Sequence, residues 1–257
     1  MTMTLPRRAG GSTISPVTGW VGGSTALLAV VALAAGVTTP VRSGPNCTEA
    51  VCLRYPYTNA VLGVPRDYWW MYPAALVALS VVALLACLNR DADGTPRTLG
   101  LIGFGLATVA AAALCADYAV QLAVVQPSLL AGQHDGLAPL VMYSPHGVFI
   151  ALEDLGYLLT GAALVFAGLA ITDNSRTGRT TRWLLMAAGA AVVVSFAILA
   201  LREGADLADQ FEIIAISIDW LALAVAGSLL VVLSRRRAAP AAGSGRATGS
   251  HAGSPIA

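Results

Sequence analysis

The chain has 257 residues, 56% hydrophobic and 11% charged, with a formal net charge of +1. A soluble domain carries about 25% charged residues, so this composition excludes a soluble globular fold. The near-zero charge also offers no basic surface for nucleic acid. Several apolar runs reach the ~20 residues needed to cross about 30 Å of hydrocarbon, so the chain reads as an all-α, multi-pass integral membrane protein.

Residues 1–17 are polar, contain Arg7 and Arg8, and predict a disordered cytoplasmic arm. The first apolar run, 18–40, is rich in Ala, Val and Gly, which suits close helix packing. A cleaved signal peptide is the competing reading of this run, and either one leaves the following loop outside. That loop, 41–70, holds Cys47 and Cys52 and ends in the aromatic sequence DYWWMYP. Tyr68, Trp69, Trp70 and Tyr72 suit an interfacial aromatic belt; an aromatic binding surface is the alternative.

The second span covers about 71–89, and a turn with D-G and T-P steps follows it. The third, 98–125, exceeds 40 Å at ~1.5 Å per residue and must tilt or project beyond the hydrocarbon. Residues 126–144 contain no Arg. The fourth span runs over 147–172, with Ser144 as the expected N-cap and Pro145 as the first helical residue. The fifth, 183–201, is almost featureless. An acidic stretch with Glu203, Asp206, Asp209 and Glu212 reads as a solvated linker or as a cation-attracting vestibule. The sixth span covers 211–233, and the tail 238–257 is Ala/Gly/Ser-rich and expected to be disordered.

Orientation follows from Arg; no Lys is present, a bias that a GC-rich bacterial genome produces. With the N-terminus inside, Arg7, Arg8, Arg90, Arg97, Arg176, Arg179, Arg182, Arg235, Arg236, Arg237 and Arg246 lie on the inner side. Arg42, Arg54, Arg66 and Arg202 lie on the outer side. The positive-inside rule therefore predicts six spans with both termini cytoplasmic. Cys47 and Cys52 then fall outside and are expected to form a disulfide that pins the first loop. Cys87 and Cys115 read as small buried residues within the spans. The C-x4-C spacing without nearby His is no zinc signature, and no metal or cofactor is expected.

The spans carry charges that are expensive in hydrocarbon, about 2.5–3.5 kcal/mol each at a helix centre on the lenient scale. Counted from the cytoplasmic helix ends, Asp117 stands about 30 Å above Arg97, and Glu153 and Asp154 stand at the same height above Asp173. Arg202 lies equally far above Arg182, and Asp219 about 24 Å above Arg235. Four helices thus place charged groups in the outer third of the membrane. Asp117 and Gln121 share a helix face, as do Glu212 and Asp219. His146, Glu153 and Tyr157 are expected to share another face, with Asp154 turned about 100° away, and Asp154 or Glu153 to meet Arg202. The candidate binding residues are Asp117, Gln121, His146, Glu153, Asp154, Tyr157, Arg202 and Asp219. Two readings stand: an outward-facing acidic pocket, or interhelical hydrogen bonds that only fix packing.

The segments DYWWMYP, ADYAVQLAVVQPSL and YSPHGVFIALEDLGYLL lie within residues 67–73 and 116–159, about a fifth of the chain. They resemble segments of an uncharacterised group of bacterial multi-pass membrane proteins. The resemblance implies a bacterial integral membrane protein and contributes no catalytic residue. Three functions follow for a protein of the bacterial inner membrane. The first is a small transporter coupled to a proton or small cation. The second is a non-catalytic sensor or assembly factor that binds a lipid or a protein partner. The third is an intramembrane hydrolase, for which the chain lacks G-x-S-x-G and H-E-x-x-H motifs and has only His134, His146 and His251.

Overall fold

A computed structural model describes residues 14–44, 47, 52–204 and 208–238. The disorder expected for the N-terminal arm and for the C-terminal tail concerns segments that lie almost wholly outside these residues. Among the described residues every regular element is helical, and six helices are long and apolar enough to cross a membrane.

Helix α1, Pro16–Val37, starts where Ser15 accepts a hydrogen bond from the Thr18 amide and Pro16 occupies the first turn. Asp91, at the end of α2 (Met71–Asp91), accepts from the Ser15 amide at 2.8 Å and the Thr18 hydroxyl at 2.6 Å. A carboxylate at the start of a helix also meets its positive dipole end. Helix α3, Thr95–Val120, runs on through a π turn at Gln121–Val125 into the short α4, Gln126–Leu130. The long third span is thus a 36-residue helical segment with one wide, underwound turn near its C-terminal end. Helix α5 covers Val148–Ala170, α6 covers Arg176–Glu203, and α7 covers Ala208–Ala238.

The bundle closes as a ring. α1 packs on α2 and α7, α3 lies between α2 and α5, α6 packs on α5 and α7, and α5 also meets α7 across the interior. Two crossings depend on glycine because backbone meets backbone. A Cβ on Gly189 of α6 would collide with the Gly161 carbonyl of α5, and one on Gly227 of α7 with the Gly22 carbonyl of α1. Small residues permit this approach where apolar lipid gives no hydrophobic drive for helix association.

One end of the bundle is covered by the segments 52–70 and 131–147, which with α4 build a small second core around Tyr57, Ala60, Leu129 and Val141. Asp67 joins the two loops: its Oδ2 accepts from the Arg42 guanidinium and, at 2.8 Å, from the Tyr143 hydroxyl. Asp67 is completely buried. Burial, with the neighbouring Tyr68 and Asp67, raises the Tyr143 phenol well above its usual range. Cys47 and Cys52 form the expected disulfide in the first loop.

The aromatic sequence is divided between two environments. Trp69 and Tyr72 are exposed, as a belt requires, but Tyr68 and Trp70 are buried. Four aromatics within five residues of a tightly wound segment must direct part of them inward, and an interfacial position does not change that geometry. The fourth span begins later than its sequence signals indicate. Ser144–Gly147 forms a turn, Gly147 is the N-cap, and the Val148 amide donates to the Pro139 carbonyl.

Candidate functional site

The site lies where α3, α5 and α7 meet beneath the loop-covered end. Glu153 of α5 is wholly buried, and its Oε1 accepts from the Tyr118 hydroxyl of α3 at 2.7 Å. The same hydroxyl lies 2.8 Å from that of Tyr157. A phenol has one proton; with Tyr118 donating to Glu153, Tyr157 donates to Tyr118. The result is a directed chain from Tyr157 through Tyr118 to Glu153.

Two more carboxyls join from other helices. The strongest charge interaction on Glu153 comes from Glu212 of α7, and Asp117 of α3 also acts on it. Glu212 acts in turn on Asp117. Tyr157 lies within the field of Glu153, Glu212 and Asp219. Asp117 Oδ2, Glu153 Oε2 and both carboxyl oxygens of Asp219 are buried and make no hydrogen bond among the described residues. Such atoms are costly to bury, by about 1–3 kcal/mol for each group left unsatisfied, and more when charged.

Aromatic rings enclose this group. Trp70, at the start of α2, meets Tyr118 at 5.5 Å, Trp220 at 6.4 Å and Phe149 at 6.5 Å between ring centroids. Tyr157 meets Trp220 edge-on at 6.2 Å. Beside these rings a crevice of about 330 Å³ opens between the ends of α1 and α7. Trp70, Trp220 and Glu212 line it, so Glu212 belongs both to the crevice and to the buried acidic group.

Of the residues singled out in the sequence, Asp117 acts on Glu153, Tyr157 joins Glu153 through Tyr118, and Asp219 acts on Tyr157; all four are buried. Gln121 is buried too, but its amide donates to the Leu140 carbonyl and anchors the second loop. The π turn begins at that residue, and such turns cluster at functional sites. His146 precedes the first turn of α5 and is exposed, so the helix-face alignment expected with Glu153 is absent. Arg202 is exposed in the last turn of α6 and forms no hydrogen bond or ion pair with Asp154 among the described residues. Asp154 is half-buried on a neighbouring face of α5. Its expected pairing with Arg202 assumed that equal height means proximity; height leaves rotation about the helix axis undetermined.

Sequence reasoning missed two members. Glu212 was grouped with the solvated acidic stretch, yet it sits in the second turn of α7. The signal was its seven-residue spacing from Asp219. Tyr118 was hidden beside Asp117, since a phenol adds little to a charge count. Glu203 of the same stretch is exposed, while Asp206 and the side chain of Asp209 lie outside the described residues. Among the described residues no group of three or more His, Cys, Asp or Glu is arranged to hold a metal ion. Comparison with protein families, curated proteins and solved structures finds no match to this chain.

Proposed function

We propose that the protein is a small proton- or cation-coupled carrier of the bacterial inner membrane, with both termini in the cytoplasm and the acidic group facing outward. The observation that carries this reading is the approach of Glu153, Glu212 and Asp117 from three helices to within reach of one another's charge, Glu153 and Asp117 buried and Glu212 half-buried at an open crevice. Ionised carboxyls within range of one another repel, and a proton or small cation among them relieves that repulsion. The Tyr157–Tyr118–Glu153 chain supplies hydroxyls that can reorient as a proton arrives or leaves. Intramembrane carboxyls of this kind mark ion and proton pathways. The distribution of Arg supports the orientation.

The test is reconstitution into proteoliposomes with a trapped pH indicator. An imposed gradient should dissipate faster than in protein-free vesicles when a driving cation is added. Glu153→Gln should slow it at least tenfold. A dissipation rate equal to that of empty vesicles for every cation tried would contradict the proposal.

A further inference from the structure

We propose that the groove between α1 and α7 at the Arg-rich end of the bundle binds an anionic phospholipid, with its phosphate on Arg235 and one acyl chain laid between the two helices. Close approach of the helices builds the groove. A Cβ on Gly19 would collide with the Ser234 hydroxyl, and one on Gly23 would stand 3.0 Å from the Val231 side chain. The glycines form a floor, with Trp20 and Leu27 of α1 on one side and Val231 and Arg235 of α7 on the other. Two hollows of about 490 and 380 Å³ share Gly23, Leu27 and Val231, so they make one continuous trough. From Trp20 to Val30 it follows α1 for about 15 Å, the depth of one leaflet of a ~30 Å hydrocarbon core.

Polarity along the trough follows the order of groups in a phospholipid. Arg235 marks its end; it is exposed and forms no ion pair among the described residues, whereas the adjacent Arg236 donates to Thr177. Trp20, 78% exposed, stands beside it, as an indole does at headgroup level. One turn further in, the exposed Ser24 hydroxyl suits an ester carbonyl. Deeper, the wall is Ala26, Leu27, Val30 and Val231, and the Ser228 hydroxyl turns back to the Ala224 carbonyl of its own helix. No acid lines either hollow, and Asp91 at the end of α2 is engaged by Ser15 and Thr18. A guanidinium that faces no carboxylate takes phosphate in a two-pronged contact. A choline headgroup brings a second positive charge to that guanidinium; a glycerol headgroup does not. Arg179 and Trp183 repeat the residue types on α6, but the hollow beside them is lined by that helix alone and gives an acyl chain no second wall. The leaflet is the inner one on the orientation proposed above; the binding depends neither on that orientation nor on proton coupling.

Native mass spectrometry of the purified full-length protein, released from micelles holding equal amounts of phosphatidylglycerol and phosphatidylcholine, tests it. The expected result is a single retained phosphatidylglycerol per chain, preferred over phosphatidylcholine by roughly fivefold or more. Arg235→Gln should abolish that preference, and Gly23→Leu, which fills the trough, should remove the retained lipid. Arg179→Gln, an equal charge change beside another exposed Trp, leaves it in place. Equal retention of both lipids by the wild-type protein, the behaviour of ordinary solvating lipid, would overturn the proposal. So would an unchanged preference in a folded Arg235→Gln protein, or its loss in Arg179→Gln instead. A lipid-free dimer that Gly23→Leu disrupts would assign the groove to a second copy of the chain and equally overturn it. The comparison of the two lipids uses the wild-type chain alone, so it holds even where a variant fails to fold.

Discussion

Tyr118 of α3 donates its phenol to Glu153 of α5 across 2.7 Å, in a place that solvent does not reach. The bond ties together two helices that are otherwise held by small-residue packing, such as Gly156 against Leu114. It also makes Tyr157 the donor in its contact with Tyr118.

Tyr118→Phe removes that donor and leaves Glu153 Oε1 buried without it. The expected cost is about 1–3 kcal/mol of stability. Glu153→Ala and Tyr118→Phe together should cost clearly less than the sum of the two single changes, because both remove the same contact. Thermal unfolding of the four proteins in one detergent measures the coupling. Additive effects would mean that the two side chains do not share an interaction.

Asp67 holds the two covering loops through Arg42 and Tyr143. Asp67→Ala removes the acceptor that the Arg42 guanidinium and the Tyr143 phenol share, at a cost of about 1–3 kcal/mol. The Tyr143 phenol also gives the loops a defined pH limit. Its raised folded-state value means that the native protein keeps a proton which the unfolded chain releases near pH 10. Stability from this group is complete below that pH and declines as pH rises above it. Tyr143→Phe should flatten the alkaline decline in unfolding temperature; an unchanged decline would assign it to another group.

The close crossing of α5 and α6 sets a steric limit. Gly189→Ala would force its methyl into the Gly161 carbonyl, and only a shift of one helix relieves the overlap. A loss of about 1–3 kcal/mol is expected. Alanine at Gly105 of α3 meets nothing nearby and should be neutral or slightly stabilising through helix propensity. Equal unfolding temperatures for the two variants would show that the crossing is looser than described.

The six spans were legible because a helix in lipid must satisfy its own backbone and keep an apolar surface over ~20 residues. The matching height of Asp117 and Glu153 was legible too, since rise per residue is constant along a helix. Rotation was not. Nothing in the local sequence says that Asp117 and Glu153 face inward while Arg202 faces out, because that depends on which helices become neighbours. Trp70 shows the same limit: its composition and position suit a membrane interface, yet contacts with Tyr118, Phe149 and Trp220 draw it into the core. His146 was lost to a boundary: a turn ending at Gly147, rather than a cap at Ser144, removed it from the helix.

The central claim is that Glu153, Glu212 and Asp117 act as one proton-binding unit, and pH-difference infrared spectroscopy in the carboxyl stretching region tests it most directly. With a single shared unit, Glu153→Gln and Glu212→Gln should each remove one contribution and also shift the position and titration midpoint of what remains. Contributions that vanish one at a time, leaving the others unmoved, would show three independent carboxyls and contradict the claim.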